Sequence, residues 1–435
     1  MKPRVAVLQF PGINSEYETL RALWDAEIDA ELFRWNEMNS PEGLARLRAY
    51  DGYLVPGGFS FEDRGRSGLI ASMEPIMQEI AQEANKGKPV LGICNGAQIL
   101  VETGLIPGGK PDATGRHPLL MSLARNKRVQ KGKVIGVGFY NSNVHLKSLA
   151  PQGRTAFTLD FIPDELSDLV PIAHGEGRFT TSIPGLLETL RANQQIVFKY
   201  CDAQGQLGDE FPLNPNGAMD SAAAICNPQG NVMGIMPHPE RGPSAPMPKI
   251  FTSMRKYMQA RAEGKNPLLG TLPALEIPDT TVTLETHVHK PGTIEFLVEL
   301  LITDNEAQTI ENALRQKGFD VQIRKWTAFQ VSTPQGTDQN KVAAELIASG
   351  ELCNLNKERV TTVTDSSTFP KKEGAHYFLV HDREDAEGMA KSARLGLPVQ
   401  RAWLWELMAN SPINMDALLA TNIFANHHAQ VIDEA

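Results

Sequence analysis

Three short segments carry residues whose types and spacing could do chemistry. In Gly92-Ile93-Cys94-Asn95-Gly96-Ala97-Gln98, an apolar run from Pro89 to Ile93 feeds one cysteine into a glycine-flanked turn and then a helical pattern. This reads as a nucleophile elbow with sulfur in place of oxygen. A side chain held at the tip of a strained strand-to-helix turn leaves no room beside it, so Gly92 and Gly96 must be small. At a helix N-terminus, unpaired N–H groups and the helix dipole favour the nucleophilic thiolate. A lone cysteine is otherwise most simply a core thiol.

A thiolate that attacks a carbonyl needs a proton partner, a group to orient that partner, and donors for the developing oxyanion. Met236-Pro237-His238-Pro239-Glu240-Arg241 supplies the first two: its prolines fix the chain, and a His-x-Glu pair lets a carboxylate hold an imidazole. Val55-Pro56-Gly57-Gly58-Phe59-Ser60 supplies backbone N–H groups that can approach a substrate, so the expected oxyanion donors are the N–H groups of Gly58 and Asn95. Each of these two segments alone reads as a plain turn.

The elements that must position these groups alternate. Strands are expected at Val5 to Phe10, Ala30 to Trp35, Asp51 to Val55 and Pro89 to Ile93, with helices at Tyr17 to Asp25, Pro41 to Arg48, Gly68 to Asn85 and Asn95 to Gly104. Repeated β-α-β predicts an α/β fold, a mostly parallel sheet with helices on both faces and active groups at the C-terminal ends of strands. Further strands are expected at Lys133 to Phe139, Thr155 to Thr158, Leu169 to His174, Ile196 to Tyr200, Ala222 to Asn227 and Val232 to Met236, and a helix closes this part at Lys249 to Ala262.

Residues 1–262 therefore form one domain, and the Pro- and Gly-rich stretch 263–285 reads as a linker. Residues 286–366 follow as an α+β domain: strand Thr293 to Thr303, helix Asn305 to Lys317, strands Asp320 to Trp326 and Ala328 to Ser332, helix Gln339 to Gly350, strand Arg359 to Val363. That order is ferredoxin-like. The stretch 367–435 reads as an extension of unassigned role, with a strand at His376 to His381 and helices at Glu384 to Ser392 and near Arg401 to Ala409. No long internal repeat stands out.

Composition bounds the rest. A chain of 435 residues with 41% hydrophobic, 21% charged and 7% aromatic residues is globular, with length for two or three domains at about 150 residues each. No apolar run approaches the ~18 residues of a membrane span and the N-terminus has no signal pattern, so a cytoplasmic protein is expected. Cys94, Cys201, Cys226 and Cys353 are too scattered for a disulfide scaffold or a zinc site. A net charge of -9 argues against nucleic acid, and the basic stretch from Lys110 to Lys133 reads as a solvated face.

In that order and spacing, the Pro-Gly-Gly loop, the Gly-x-Cys-x-Gly elbow and Pro-His-Pro-Glu resemble the class I glutamine amidotransferases. Pro56 to Asp63, Gly92 to Gln98, Ile172-Ala173-His174-Gly175-Glu176-Gly177-Arg178-Phe179, Asn214-Pro215-Asn216-Gly217, Met236 to Arg241 and Phe10 to Glu16 look like the family of glutaminase subunits of phosphoribosylformylglycinamidine synthase. The resemblance covers about residues 4 to 260; Ser15-Glu16 departs from the family pattern, and Arg116 to Phe139 is not aligned with it. It implies a Cys94–His238–Glu240 triad that hydrolyses glutamine, with Gly57, Gly58, Asn95, Gln98 and His174 around the substrate. It also implies ammonia delivery to a separate synthetase subunit that alone carries ATP and magnesium; no cofactor and no metal is expected in this chain. Thr293 to Val363 is similar in pattern to the small accessory subunit of the same synthase, which would otherwise be a separate partner.

Two rival readings remain at this level: an amidotransferase serving another synthetase, and a catalytically silent docking scaffold. A cysteine hydrolase or chaperone on a related fold would share the elbow and lack the His-Pro-Glu. Gly104 to Lys110 mimics a phosphate loop, but Pro111 stands at the Ser/Thr position and the stretch follows a helix. His287-Val288-His289 and His427-His428 lack acidic or Cys partners at ligand spacing in the sequence.

Overall fold

Short apolar runs and amphipathic stretches become alternating elements, and these organise the chain into two compact units, residues 1–279 and 280–435. The structure is a computed structural model that describes residues 2–435 except 39, 243–244, 278–283 and 366–370. In the first unit the strands of the main sheet are β1 (Arg4–Gln9), β2 (Asp29–Arg34), β3 (Gly52–Val55), β4 (Val90–Ile93), β5 (Tyr140–Ser148), β6 (Val170–His174), β7 (Ile196–Cys201), β8 (Ala222–Cys226) and β9 (Val232–Ile235). Their order is β2-β1-β3-β4-β9-β8-β7-β5-β6. The first five in that order run parallel, and the remaining four are added antiparallel.

Every residue of β3, β4, β8 and β9 is buried, which is why these strands read as unbroken apolar runs rather than alternating ones. Helices Glu16–Asp25, Pro75–Asn85, Asn95–Glu102 and Pro248–Ala262 bury Leu20, Ile80, Ile99 and Phe251 in the shared core. The topology thus sets the C-terminal ends of β3, β4 and β9 side by side. The segments that leave those ends are the three that carry the candidate chemistry.

Local departures from expectation have local causes. The helix expected over Gly68 to Asn85 divides into Leu69–Ser72 and Pro75–Asn85, because Pro75 cannot extend a preceding helix and starts a new one. The strand expected at Thr155 to Thr158 is a turn: the two threonine hydroxyls bond each other at 2.9 Å and accept from the N–H groups of Thr155 and Phe157, satisfying the backbone locally. Lys133–Val137 pairs with Lys127–Gln130 as a hairpin. The expected linker 263–285 belongs, up to residue 277, to the first unit. Leu275 is buried in its core, its N–H donates to Gly108 O at 3.1 Å, and Leu268 and Ile277 pack beside it. Prolines removed the periodicity there without removing the anchors; residues 278–283 of that stretch lie outside the described residues.

The second unit is one sheet rather than a domain with an appendage. Its strands are β10 (Glu285–Thr286), β11 (Thr293–Leu300), β12 (Val321–Ser332), β13 (Glu358–Val363), β14 (Ala375–Asp382), β15 (Val399–Ala409) and β16 (Gln430–Glu434), in the order β10-β16-β14-β15-β12-β11-β13. The domain boundary expected at 366–367 lies outside the described residues. The two strands expected at Asp320 to Trp326 and Ala328 to Ser332 are one continuous β12, since Trp326-Thr327-Ala328 contains no turn residue and the whole length pairs with β15. The helix expected near Arg401 to Ala409 is β15. Ala402 and Leu404 point to one face and Trp405 and Leu407 to the other, all buried, so a strand covered on both faces hid its period of two.

Candidate active site

Cys94 sits between β4 and helix Asn95–Glu102 with φ 51° and ψ -107°, a strained conformation for a residue with a side chain. Its N–H is tied to Ile235 O of β9 at 2.8 Å. The flanking glycines are sterically required. A Cβ on Gly92 would lie 2.5 Å from Gly96 O, and one on Gly96 would collide with Val55 O. The elbow expected from sequence is therefore built by close approach of β3, β4 and the helix.

His238 leaves β9 with its own N–H bonded to Pro171 O at 2.9 Å, which draws β6 to the site. Its Nδ1 lies 2.7 Å from Glu240 Oε1, and the Cys94 sulfur, whose thiol also reaches Ala173 O at 3.8 Å, acts on the same ring. Both His238 and Glu240 are 1% exposed. Burial works against the imidazolium, but the Glu240 carboxylate and the Cys94 sulfur outweigh it and hold His238 up to about 10. The resting site thus keeps a proton on the ring that faces the sulfur.

The Pro56–Ser60 loop closes the other side. Gly57 O accepts from the N–H groups of Asn14 and Ser15 at 3.3 and 3.1 Å, so the loop is pinned to the one after β1. A Cβ on Gly57 would stand 2.6 Å from His238 Cε1 and 3.3 Å from Cys94 Cβ. Gly58, at φ +153°, has no space either, with Ile13 Cα 2.6 Å from a Cβ there. Among the described residues, neither the Gly58 nor the Asn95 N–H enters a backbone hydrogen bond. Both remain free to meet an oxyanion.

Asn95 and Gln98 serve as ties. Asn95 Oδ1 accepts from Ser60 N–H at 3.0 Å and its Nδ2 donates to Gln98 Oε1 at 2.8 Å, while Gln98 Nε2 donates to Glu176 O at 2.6 Å. The Gln98 amide is committed at both ends, so it positions the 174–178 loop. His174 is 2% exposed; burial, and secondarily the charge on His238, push it down to about 3. Asn126 Nδ2 lies 3.1 Å from its Nδ1, and among the described residues the other ring nitrogen has no hydrogen-bond partner.

Sequence reasoning missed several supports. Asn126, inside the stretch read only as basic, is 1% exposed; its side chain donates to His174 O at 2.7 Å and accepts from Gly177 N–H at 2.8 Å. Asn216 Nδ2 donates to Gly177 O at 2.7 Å, which gives the Asn-Pro-Asn-Gly segment its place. Arg241 donates to Ser15 Oγ at 2.6 Å, joining the loop after β9 to the loop after β1. Asp63, whose Oδ1 accepts from Asn95 Nδ2 at 3.2 Å, is raised to about 7 by burial and then by the neighbouring Glu176 carboxylate. Nothing in the sequence around Asn126 marked the first of these.

Elsewhere, the four cysteines form no disulfide and all are buried. Gly104 to Lys110 is a turn wedged against Pro118 and Pro228. His287 and His289 do meet a carboxylate in space, Glu295 at 3.0 and 3.3 Å, brought close by β11 although eight and six residues away. Among the described residues, no group of three His, Cys, Asp or Glu side chains is arranged to hold a metal ion, and no helix is long and apolar enough to cross a membrane.

Residues 2–256 match the family described as a CobB/CobQ-like glutamine amidotransferase domain. The protein named phosphoribosylformylglycinamidine synthase subunit PurQ from Methanothrix thermoacetophila is 42% identical over 272 residues, which is 59% of this chain and 99% of that one. The protein of the same name from Chlorobium luteolum is 36% identical over 237 residues, covering 54% of this chain and 88% of that one. A solved structure titled as PurLQS from Thermotoga maritima is 30% identical with a TM-score of 0.45, covering 59% of this chain and all of that chain. With its matched segment spanning more than half its length and such a relative covered almost end to end, the chain belongs to the CobB/CobQ-like glutamine amidotransferase family.

Proposed function

We propose that this chain is the glutaminase subunit of a phosphoribosylformylglycinamidine synthase, hydrolysing glutamine and passing ammonia to an ATP-dependent synthetase subunit in purine biosynthesis in the cytoplasm. The names of the relatives support the assignment, and one observation carries the chemistry: a strained Cys94 at the elbow beside a buried His238 whose ring Glu240 holds at 2.7 Å. The Cys94 thiolate attacks the side-chain amide carbon of glutamine, and the N–H groups of Gly58 and Asn95 receive the oxyanion. On collapse, the C–N bond breaks and the nitrogen takes the His238 proton, leaving as ammonia. Neutral His238 then removes a proton from water, which attacks the glutamyl thioester; glutamate leaves and the thiolate–imidazolium pair returns. No step calls for a cofactor in this chain; ATP and magnesium belong to the synthetase.

Gln98, His174 and Asn126 shape the loop beside the thiol where the glutamine head would lie. The second unit takes the part of the small accessory subunit in the synthetase complex. Glutamine hydrolysis by the wild-type chain and by Cys94→Ala, each with and without the synthetase, tests this reading. Activity that needs Cys94 and rises with the synthetase is expected. Hydrolysis unaffected by Cys94→Ala, or absent even in the complex, overturns it.

A further inference from the structure

The second unit is built twice from one plan. Setting aside the two-residue β10, its sheet consists of two three-strand groups, with β11 between β13 and β12 and β14 between β16 and β15. Pairing within each group is antiparallel throughout. Each group runs strand, helix, long strand, helix, strand. All four helices start at Asp304, Asp338, Asp385 or Asn414, whose side chain accepts from a backbone N–H two or three residues on. The first helix of each group ends before a left-handed glycine, Gly318 (φ 91°) and Gly396 (φ 68°). There the sequence itself repeats: Gly318-Phe319-Asp320-Val321-Gln322 and Gly396-Leu397-Pro398-Val399-Gln400.

The seam between the groups is the decisive feature. β12 and β15 pair antiparallel from Val321↔Ala409 to Val331↔Val399. The repeat matches Val321 with Val399 and, at the same spacing, Val331 with Ala409. Under that match the register maps onto itself: Val321 opposite Ala409 becomes Val399 opposite Val331. Trp326 stands opposite Leu404, its own counterpart. A strand pair unchanged by exchange of its members has a two-fold axis, which is the property of an isologous interface.

We infer that the second unit is an internal dimer, two copies of one module joined in a single chain, and that the β12–β15 seam is the interface by which such a module pairs with a second copy of itself. In the complex proposed above, on which this last consequence rests, each glutaminase brings a paired set of accessory modules and needs no separate one. The side chains of β12 suit self-pairing. In the seam register a second copy would set Arg324 opposite Ala328 and Lys325 opposite Thr327, with Trp326 on the axis, so no like charges meet.

Two variants test the inference. In a tandem chain, residues 375–435 are replaced by a second copy of 293–365; it should keep the subunit number of the native chain by light scattering and unfold its second unit cooperatively. In a chain ended at residue 365, β12 is an open edge, and the subunit number should double. Arg324→Cys with Ala328→Cys in that chain, on a Cys94→Ala background, should then form interchain disulfides, because directly opposed strand residues lie within disulfide reach; Gln322→Cys with Ala328→Cys should form none. If the shortened chain precipitates, the tandem chain decides. A tandem chain whose second unit does not fold, or a shortened chain that stays folded without doubling or cross-linking, overturns the inference. Glutamine hydrolysis by the native chain is read separately, so failure of the seam and failure of the glutaminase assignment are distinguishable.

Discussion

Glu240→Gln is the most telling perturbation of the site, because it keeps the shape and a hydrogen-bonding group while removing one charge. Holding His238 at about 10 against its ordinary 6.5 corresponds to about 5 kcal/mol in favour of the imidazolium. Burial opposes that form, and the charge of Glu240 is the largest single influence that favours it. The structure contains its own control: His174 is as buried as His238, has no carboxylate on its ring, and sits at about 3. Without the Glu240 charge, His238 should fall toward that behaviour and lose the proton that the reaction delivers to the leaving nitrogen. By analogy with loss of the carboxylate from other nucleophile–His–acid triads, kcat for glutamine hydrolysis should drop about 10³- to 10⁴-fold. Alkylation of Cys94 by iodoacetamide should be slower in the variant than in the wild type at neutral pH. Stability follows the same sign. A raised histidine contributes stability fully below about 6.5, and the contribution is lost as pH climbs through about 10, so the stability gap between wild type and Glu240→Gln should shrink over that interval. A variant that retains kcat within about tenfold, with an unchanged alkylation rate at neutral pH, would refute the reasoning.

Gly57→Ala should lower kcat about 100-fold through displacement of the His238 ring, with little change in melting temperature; wild-type kinetics would show that the loop yields instead. Asn126→Ala strips partners from His174 O and Gly177 N–H, at about 1–3 kcal/mol for each, and should be visible by urea unfolding together with a raised KM for glutamine. A glutamine-like electrophile should label Cys94 alone at neutral pH by mass spectrometry, since burial pushes the thiols of Cys201 and Cys226 up to about 11 and that of Cys353 upward. Asp63, raised to about 7 by burial and Glu176, makes the fold less stable as pH rises from about 4 through 7; Asp63→Asn should therefore gain melting temperature over the wild type across that window, and a gain that is flat with pH would count against the buried carboxyl.

How much of this was legible follows from where the information resides. The elbow, the His-x-Glu pair and the Pro-Gly-Gly loop were readable because each is local: glycine and proline state a backbone requirement within a few residues, and the all-buried β3, β4 and β9 stand out as apolar runs. The α/β plan of the first unit followed from them. Asn126 was not readable, since its partners His174 and Gly177 are some fifty residues away and nothing around it marks a buried polar hub. β15 was misread because both its faces are covered. The duplication was hidden for a related reason: apart from the Gly-x-x-Val-Gln repeat, the two modules share topology and register rather than residues, and register exists only once strands pair.

The contrast between the two buried histidines explains why the site needs both the elbow and the distant supports. A site with two neighbouring titrating rings could place its single proton on either. Here the carboxylate selects His238, and the charge so created helps keep His174 neutral, since it adds to burial in lowering that ring. Asn126 then completes the assignment: its Nδ2 donates to His174 O and so presents a donor to Nδ1, which leaves any ring proton of His174 on the unpartnered Nε2. The proton that must leave with ammonia is thereby confined to the ring facing Cys94. Residues without a role in bond breaking decide where the reactive proton resides.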